Sequence, residues 1–327
     1  VMEDSTRIRA ALGAAGLAVS AVFAVTGLAG CGETTTAGRA APKSITTPIR
    51  TPEPSADPSQ AEVDRRLRRL EQQDHGRIGA YAIDTGTGRV VSHRARELFP
   101  TLSTFKAMLS AAVLRKARQS DPGLLDRVVR YGRGDLLDYS PITEKHVATG
   151  MTVAELCQAA ITMSDNTAGN LLLKQIGGPA GLTAFYRSLG DSVSRLDRWE
   201  PELNVWKPGE RRDTTSPYAF ARDLRALALG DALEPADRNR LIGWMADTRT
   251  GDARIRAGLP KDWTVADKTG TGPAYGTTND VAVVRPPSGA PVVMVILTNR
   301  RAADGASDEK VVAKTAAILA RGLGRAG

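Results

Sequence analysis

The strongest constraint on the fold is where the strand-forming segments fall. Ile78, Ala80 and Ala82, with Tyr81 and Ile83, run into Asp84-Thr85-Gly86-Thr87-Gly88, and Arg89-Val90-Val91 returns, the pattern of a hairpin. The next strand-like runs come only at 264–267, 278–284 and 292–298, the last two separated by the turn Pro286-Pro287-Ser288-Gly289. Between these groups, from Thr101 to about Met245, apolar residues recur at helical spacing, notably over 152–162, 167–176, 181–189 and 216–229. Amphipathic patterns frame the whole: Val63, Leu67 and Leu70 in 61–73, with a basic outer face, and Val311, Val312, Ala316 and Leu319 in 308–323. Strands from both ends of a chain can share one sheet only if the helical block is an insertion. The sequence therefore predicts an α+β fold, an antiparallel β-sheet flanked by terminal helices and built from about 61–98 and 247–327, with an inserted all-helical lobe over about 99–246. A cleft between two such lobes is a common place for a site.

Composition narrows the partners. The 327 residues are 42% hydrophobic, enough for a large core, and the net charge of +8 is scattered rather than gathered into a basic block interleaved with aromatics. No nucleic-acid groove is expected, and a monomer is the default. His75, His93 and His146 lie far apart and neither cysteine sits in a Cys-x-x-Cys pattern, so no metal site is expected.

Arg7 and Arg9 precede an apolar run over 10–29 that ends in Leu28-Ala29-Gly30-Cys31. A basic start, an apolar stretch and small residues before its end make a secretory signal, here 1–31, to be set apart from fold reasoning. Its last residues resemble a bacterial lipobox. That resemblance implies export, a lipid on Cys31, and a place on the outer face of the cell membrane or release from it. The stretch 32–60, rich in Thr, Pro, Ser and Ala, reads as a flexible tether, and 61–327 as the folded domain. With Cys31 lipidated, Cys157 has no cysteine partner; among Val153, Leu156, Ala160 and Ile161 it reads as a core residue.

The chemistry centres on Phe99-Pro100-Thr101-Leu102-Ser103-Thr104-Phe105-Lys106. Pro100 favours a helix start just after it, and Phe105, Met108, Leu109, Ala112 and Val113 fall at helical spacing. Ser103 and Lys106 then share one face, distinct from the apolar one, with Cβ atoms about 5–6 Å apart. A buried lysine is costly to keep charged and can take a proton from a neighbouring hydroxyl, which makes a nucleophile of the serine. In a first turn, Ser103 would also offer an unpaired N–H to an oxyanion. Three later stretches suit the same cleft. Ser164-Asp165-Asn166 offers a second hydroxyl and an amide. Lys268-Thr269-Gly270-Thr271-Gly272 offers a cation, two hydroxyls for a carboxylate, and glycines that let a substrate lie along a strand edge. Arg198-Trp199-Glu200-Pro201-Glu202-Leu203-Asn204 opens an irregular segment that runs to Asp213.

In this order, Ser-x-x-Lys, Ser-Asp-Asn and Lys-Thr-Gly resemble the class A serine β-lactamases, over about Ala61 to the C-terminus; Phe-Pro before the serine, Arg-x-Glu-Pro-Glu-Leu-Asn and the Arg-Ala-Gly-Leu-Pro at 256–260 extend the match. The resemblance implies hydrolysis of a β-lactam amide through an acyl-enzyme on Ser103, without a cofactor, and resistance to these antibiotics. Lys106, or Glu200 acting through water, would take the serine proton. Ser103 and Thr271 would form the oxyanion hole. Ser164 would pass a proton to the ring nitrogen, with Lys106 and Lys268 polarising it. Lys268, Thr269, Gly270, Thr271 and Arg254 would hold the carboxylate, and Asn166 the side-chain amide. Tyr139 would stand at the cleft mouth. Glu200 with Asn204 would activate the deacylating water, and Arg198 would pair with Asp213 to close the loop. Two departures stand out: Ser110 replaces the cysteine that often bridges to Cys157, and Thr277 replaces an arginine, so that Arg254 reaches in instead. Two rivals remain: a penicillin-binding D-alanyl-D-alanine carboxypeptidase or transpeptidase, and a non-catalytic β-lactam-sensing lipoprotein.

Overall fold

The computed structural model describes residues 58–325; the predicted signal, Cys31 and most of the tether lie outside the described residues. In chain order the elements are α1 (Pro58–Asp74), β1 (Gly76–Asp84), β2 (Val90–His93), β3 (Phe99–Pro100), α2 (Phe105–Gln119), β4 (Val128–Val129), β5 (Met151–Thr152), α3 (Val153–Thr162), α4 (Asn166–Gln175), α5 (Gly178–Ser188), β6 (Thr214–Thr215), α6 (Pro217–Ala228), α7 (Pro235–Ala246), β7 (Thr264–Thr271), β8 (Thr278–Arg285), β9 (Val292–Arg300) and α8 (Glu309–Gly322). The sheet is antiparallel, in the order β2-β1-β9-β8-β7, so strands from both ends of the domain meet where β1 pairs with β9, Gly79 opposite Leu297.

The unbroken apolar run Val292 to Leu297 in β9 marks a strand buried on both faces. Its alternate residues serve two cores. Val292, Met294 and Ile296 join Ile78, Ala80 and Ala82 under Val63 and Leu67 of α1 and Val312 and Leu319 of α8. Val293, Val295 and Leu297 face Phe220 and Leu224 of α6 and the helices beyond. Both cores close within the described residues, so the domain carries its own interior. Helix α2 is buried all round from Phe105 to Leu114, as befits the central helix of a lobe. The serine–lysine face is buried as well, as the expected buried lysine requires, and Ser103 opens only onto the cleft.

Three features escape the sequence pattern. β7 runs on through Lys268, Thr269 and Gly270 to Thr271 rather than ending at Asp267, because Thr278, Asn279 and Asp280 of β8 pair with it residue by residue. α7 starts at Pro235 and has its polar residues, Asp237 to Arg240, in one block ahead of the apolar Leu241 to Ala246, so it gives little periodic signal. α6 packs on the sheet, on the face opposite α1 and α8. Cys157 and Ser110 are both fully buried and the cysteine is free. Burial pushes the Cys157 thiol up to about 12, against a weaker pull from Ser110, so it is an unreactive core group.

A clasp joins α1 to β2. His93 Nδ1 lies 2.8 Å from Asp64 Oδ1 and its Nε2 3.4 Å from Glu71 Oε2, while Arg94 Nε donates to Glu71 Oε1 at 2.7 Å. Burial works to lower the His93 pKa, but hydrogen bonds to Glu71 and Asp64 outweigh it and hold it above the ordinary value of about 6.5. A raised histidine pKa stabilises the fold fully below the unfolded value and ceases to as pH rises through the folded one. Thermal unfolding of the wild type is therefore expected to lose stability, relative to His93→Asn, as pH climbs above about 6.5. Parallel pH profiles for the two proteins would refute the clasp.

Candidate active site

The chain reaches Ser103 under tight constraint. Thr101 N and Oγ1 both donate to Asp213 O, at 2.8 and 2.5 Å, and Asn279 Nδ2 donates to Pro100 O at 2.7 Å. Leu102 then takes a left-handed backbone, φ 51°, uncommon for a leucine, and a single 3₁₀ turn, Leu102–Thr104, presents Ser103 ahead of α2. Gly270 of β7 closes on this turn: a Cβ there would stand 2.9 Å from Leu102 Cβ and 3.2 Å from Ser103 N. Only a residue without a side chain lets the strand come so near.

Lys106, wholly buried, is the hub. Its Nζ donates to Ser103 Oγ at 3.0 Å, to the Ser164 carbonyl at 2.8 Å and to Asn166 Oδ1 at 2.6 Å, and it lies 3.0 Å from Glu200 Oε1. Glu200 Oε1 is 3.4 Å from Ser103 Oγ, a contact too long for a strong O–H···O bond. The other carboxylate oxygen, Oε2, accepts from Asn204 Nδ2 at 2.5 Å. Asn170, one turn beyond Asn166 on α4, grips the Glu200 backbone from both sides, donating to its carbonyl at 2.9 Å and accepting its N–H at 3.0 Å. The sequence reading missed Asn170; its only signal was the shared helical face with Asn166.

Ser164 sits between α3 and α4 with φ 58°, and Asp165 caps α4 while its carboxylate also holds Ile142 N and Thr143 N. Asn166 Nδ2 donates to Asp138 O at 2.9 Å, which ties the segment carrying the exposed Tyr139 to the cleft. Lys268 Nζ donates to Ser164 Oγ at 2.9 Å from the opposite wall. Burial, with the positive charges of Lys106 and Arg254, pulls the Lys268 ammonium well below the usual lysine range. Beneath it, burial keeps the carboxyls of Asp267 and Asp280 above their ordinary range. An anion entering from the cleft would relieve the crowding of cations.

Arg254 is buried yet lines that entrance. Its guanidinium donates to Thr271 Oγ1 at 2.6 Å and to the carbonyls of Gly270 and Asn279, and pairs with Glu309 at 3.0 Å. Thr277 turns inward onto the Ala274 carbonyl. Thr250, also unanticipated, meets Thr269 through their hydroxyls at 2.6 Å. Gly272 N donates inward to Thr277 O, so by strand alternation the Thr271 N–H faces the open edge of β7. Arg198 Nε meets Asp213 Oδ2 at 2.6 Å and its Nη1 donates to Val205 O. The cleft, about 520 Å³, is lined by Ser103, Ser164, Asn166, Asn204, Thr269 and Arg254 among others. All the sequence-predicted site residues among those described gather on or behind it; Arg198 and Asp213 stand behind the loop.

A serine bonded to a buried lysine, a carboxylate one contact away and a cationic anion pocket define an acyl-transferring serine enzyme. Comparison with known proteins narrows this. Residues 62–323 match the model of the β-lactamase enzyme family. The chain is 52% identical to β-lactamase AST-1 of Nocardia asteroides, over 81% of this chain and 84% of that protein. It is 52% identical to the carbapenem-hydrolyzing β-lactamase KPC of Klebsiella oxytoca, over 78% and 87%. The crystal structure of β-lactamase from Streptosporangium roseum superposes with a TM-score of 0.80 at 62% identity, covering 81% of this chain and 99% of that one. The chain belongs to the β-lactamase family, and within it to class A.

Proposed function

We propose that the protein hydrolyses penicillin- and cephalosporin-type β-lactams through a Ser103 ester, and so confers resistance to them. The observation that carries this is the contiguous chain Ser103 Oγ, Lys106 Nζ, Glu200 Oε1, each link 3.0 Å. Lys106 takes the serine proton, which makes good the one that Ser164 later gives up, so Glu200 stays ionised through acylation. Ser103 Oγ bonds to the lactam carbonyl carbon, whose oxygen turns toward the N–H groups of Ser103 and Thr271. The C–N bond breaks as Ser164, backed by Lys268, gives its proton to the ring nitrogen. Asn166 keeps one N–H of Nδ2 for the substrate's side-chain amide, and Tyr139 borders the mouth. A water held by Glu200 and Asn204 then loses its proton to Glu200 and attacks the ester carbonyl; as the Ser103 oxygen leaves, that proton returns to it by way of Lys106, restoring the hydroxyl and the carboxylate. The proposed export signal, Cys31 lipid and monomeric state rest on sequence pattern.

The test is turnover of nitrocefin by the purified protein, beside a D-alanyl-D-alanine peptide. Multiple turnovers of nitrocefin with an inert peptide are expected. A long-lived penicillin adduct or release of D-alanine would overturn the assignment. Arg254 contacts Thr271 at the point where a carboxylate would dock. Arg254→Ala is therefore expected to raise KM for penicillins about 10- to 100-fold, the worth of a charge-assisted hydrogen bond, with a smaller change in kcat. An unaltered KM would remove Arg254 from the binding set.

A further inference from the structure

The outer face of α1 and α8, on the far side of the sheet from the helical lobe, carries a charge that the reaction does not use. Arg65, Arg66, Arg68 and Arg69 of α1 and Lys314 and Arg321 of α8 are all exposed. The acids of α1 are spent elsewhere: Asp64 on His93, Glu71 on His93 and Arg94, Asp74 on Arg300. Glu62 and Asp64 both border this surface; Glu62 pairs with both Arg65 and Arg66, and Asp64 is engaged by His93. Arg68, Arg69, Lys314 and Arg321 make no ion pair among the described residues. Six cations against two carboxylates thus border two adjoining grooves, of about 490 and 650 Å³, and the first is floored by Leu70, Ala317 and Ile318.

We propose that this face is a docking surface for an anionic phospholipid bilayer. Arginine and lysine stems lie along an apolar floor while their heads meet phosphate, the arrangement that favours a headgroup layer. α1 begins at Pro58, immediately after the tether that joins it to the apolar run at 10–29 and Cys31. A chain tethered at that end keeps this face within reach of the membrane. The choice of a bilayer rests on the anchoring reading of the N-terminal segment. A single weak anchor combined with a basic patch makes a stable attachment where either alone is marginal. Docked this way, the protein leaves the β7 edge and the cleft open to solution.

Cosedimentation of residues 58–327, whose cores are self-contained, with phosphatidylcholine vesicles and with phosphatidylcholine–phosphatidylglycerol vesicles tests the face without the anchor. Salt-sensitive binding to the anionic vesicles alone is expected, with nitrocefin turnover unchanged when bound. The triple variant Arg65→Gln, Arg68→Gln, Arg69→Gln is expected to bind about a hundredfold more weakly, about fivefold per charge, with the same melting temperature and turnover. An equal loss from Arg130→Gln, Arg133→Gln, Lys145→Gln would reduce the effect to net charge and overturn the proposal. Equal binding to both vesicle types, none to either, or tighter binding to soluble polyphosphate than to the anionic vesicles would overturn it too. The full chain, compared with its Cys31→Ala variant on neutral vesicles, reports on the anchor separately.

Discussion

Glu200→Gln is expected to leave the protein able to make its Ser103 ester but nearly unable to release it. The substitution keeps the volume, and an amide oxygen can still accept from Asn204, which holds Glu200 Oε2 at 2.5 Å. What it removes is the group that can take a proton from water. Losing a positioned general base costs about 10²- to 10⁴-fold, and the loss should fall on deacylation. With a good penicillin, rapid-quench traces should show a burst near one equivalent followed by a slow phase reduced by that factor, and intact-mass spectra should show the adduct. Glu200 also lies 3.0 Å from Lys106 Nζ, so the burst itself is expected to slow, by a smaller factor. Steady-state turnover within tenfold of wild type would dismiss Glu200 as the base. A variant that never acylates would instead make it indispensable to the first step.

In the proposed mechanism one carboxylate bears on both steps, and the reason it could do so lies in how it is held. Its backbone is gripped by Asn170 and one oxygen by Asn204, which leaves the other to face Lys106 and Ser103. Lys106 is likewise fixed, by the Ser164 carbonyl and Asn166 Oδ1. Fixed dipoles of this kind need little rearrangement as charge moves, which is where an enzyme gains most over water. The second lysine differs. Lys268 meets a hydroxyl and a carbonyl, has other cations nearby, and is held below the usual lysine range by burial first of all. An arriving substrate carboxylate would supply the missing counter-charge, so the proposed mechanism couples binding to the readiness of Ser164 to give its proton.

Sequence pattern carried the fold some distance because apolar periodicity reports burial directly. The hairpin, the late strands and the framing helices α1 and α8 all show it. It failed where polar residues are buried for function. Lys268 to Thr271 do not look like a strand, yet the register with Thr278 to Val281 extends β7 through them. Lys106 is expected to be buried, but the four polar groups within 3.0 Å that make this possible come from three separate stretches of chain, and only Ser103 shows in the local pattern. The site residues were legible through short motifs and family resemblance rather than periodicity. Asn170 and Thr250 belong to no such motif; each acts by touching a motif residue that is distant or differently placed along the chain, which only the folded arrangement discloses.

Arg198→Ala is expected to unfasten the loop that carries Glu200 while sparing the serine. Arg198 Nε reaches Asp213 Oδ2 at 2.6 Å and its Nη1 the Val205 carbonyl at 3.0 Å, so one side chain spans the loop from both sides of Glu200. Asp213 serves two masters. Its carboxylate holds this loop, also accepting the N–H groups of Asp197 and Arg198, and its carbonyl accepts from Thr101 beside the nucleophile. The second contact is made by the N–H and hydroxyl of Thr101 and needs no arginine. Removing one partner of a largely buried pair costs on the order of 3 kcal/mol, so the melting temperature should fall by several degrees. A displacement of about 1 Å at Glu200 is enough to cost about 10²-fold in a step that depends on its placement. Deacylation should therefore slow by about that factor while acylation changes several-fold less. Arg198→Lys keeps the charge but cannot span both partners, and should fall between. Single-turnover kinetics with a penicillin separates the two steps. An equal fall in both would mean that the arginine supports the whole site, and no fall in either would mean that the loop keeps its shape without it.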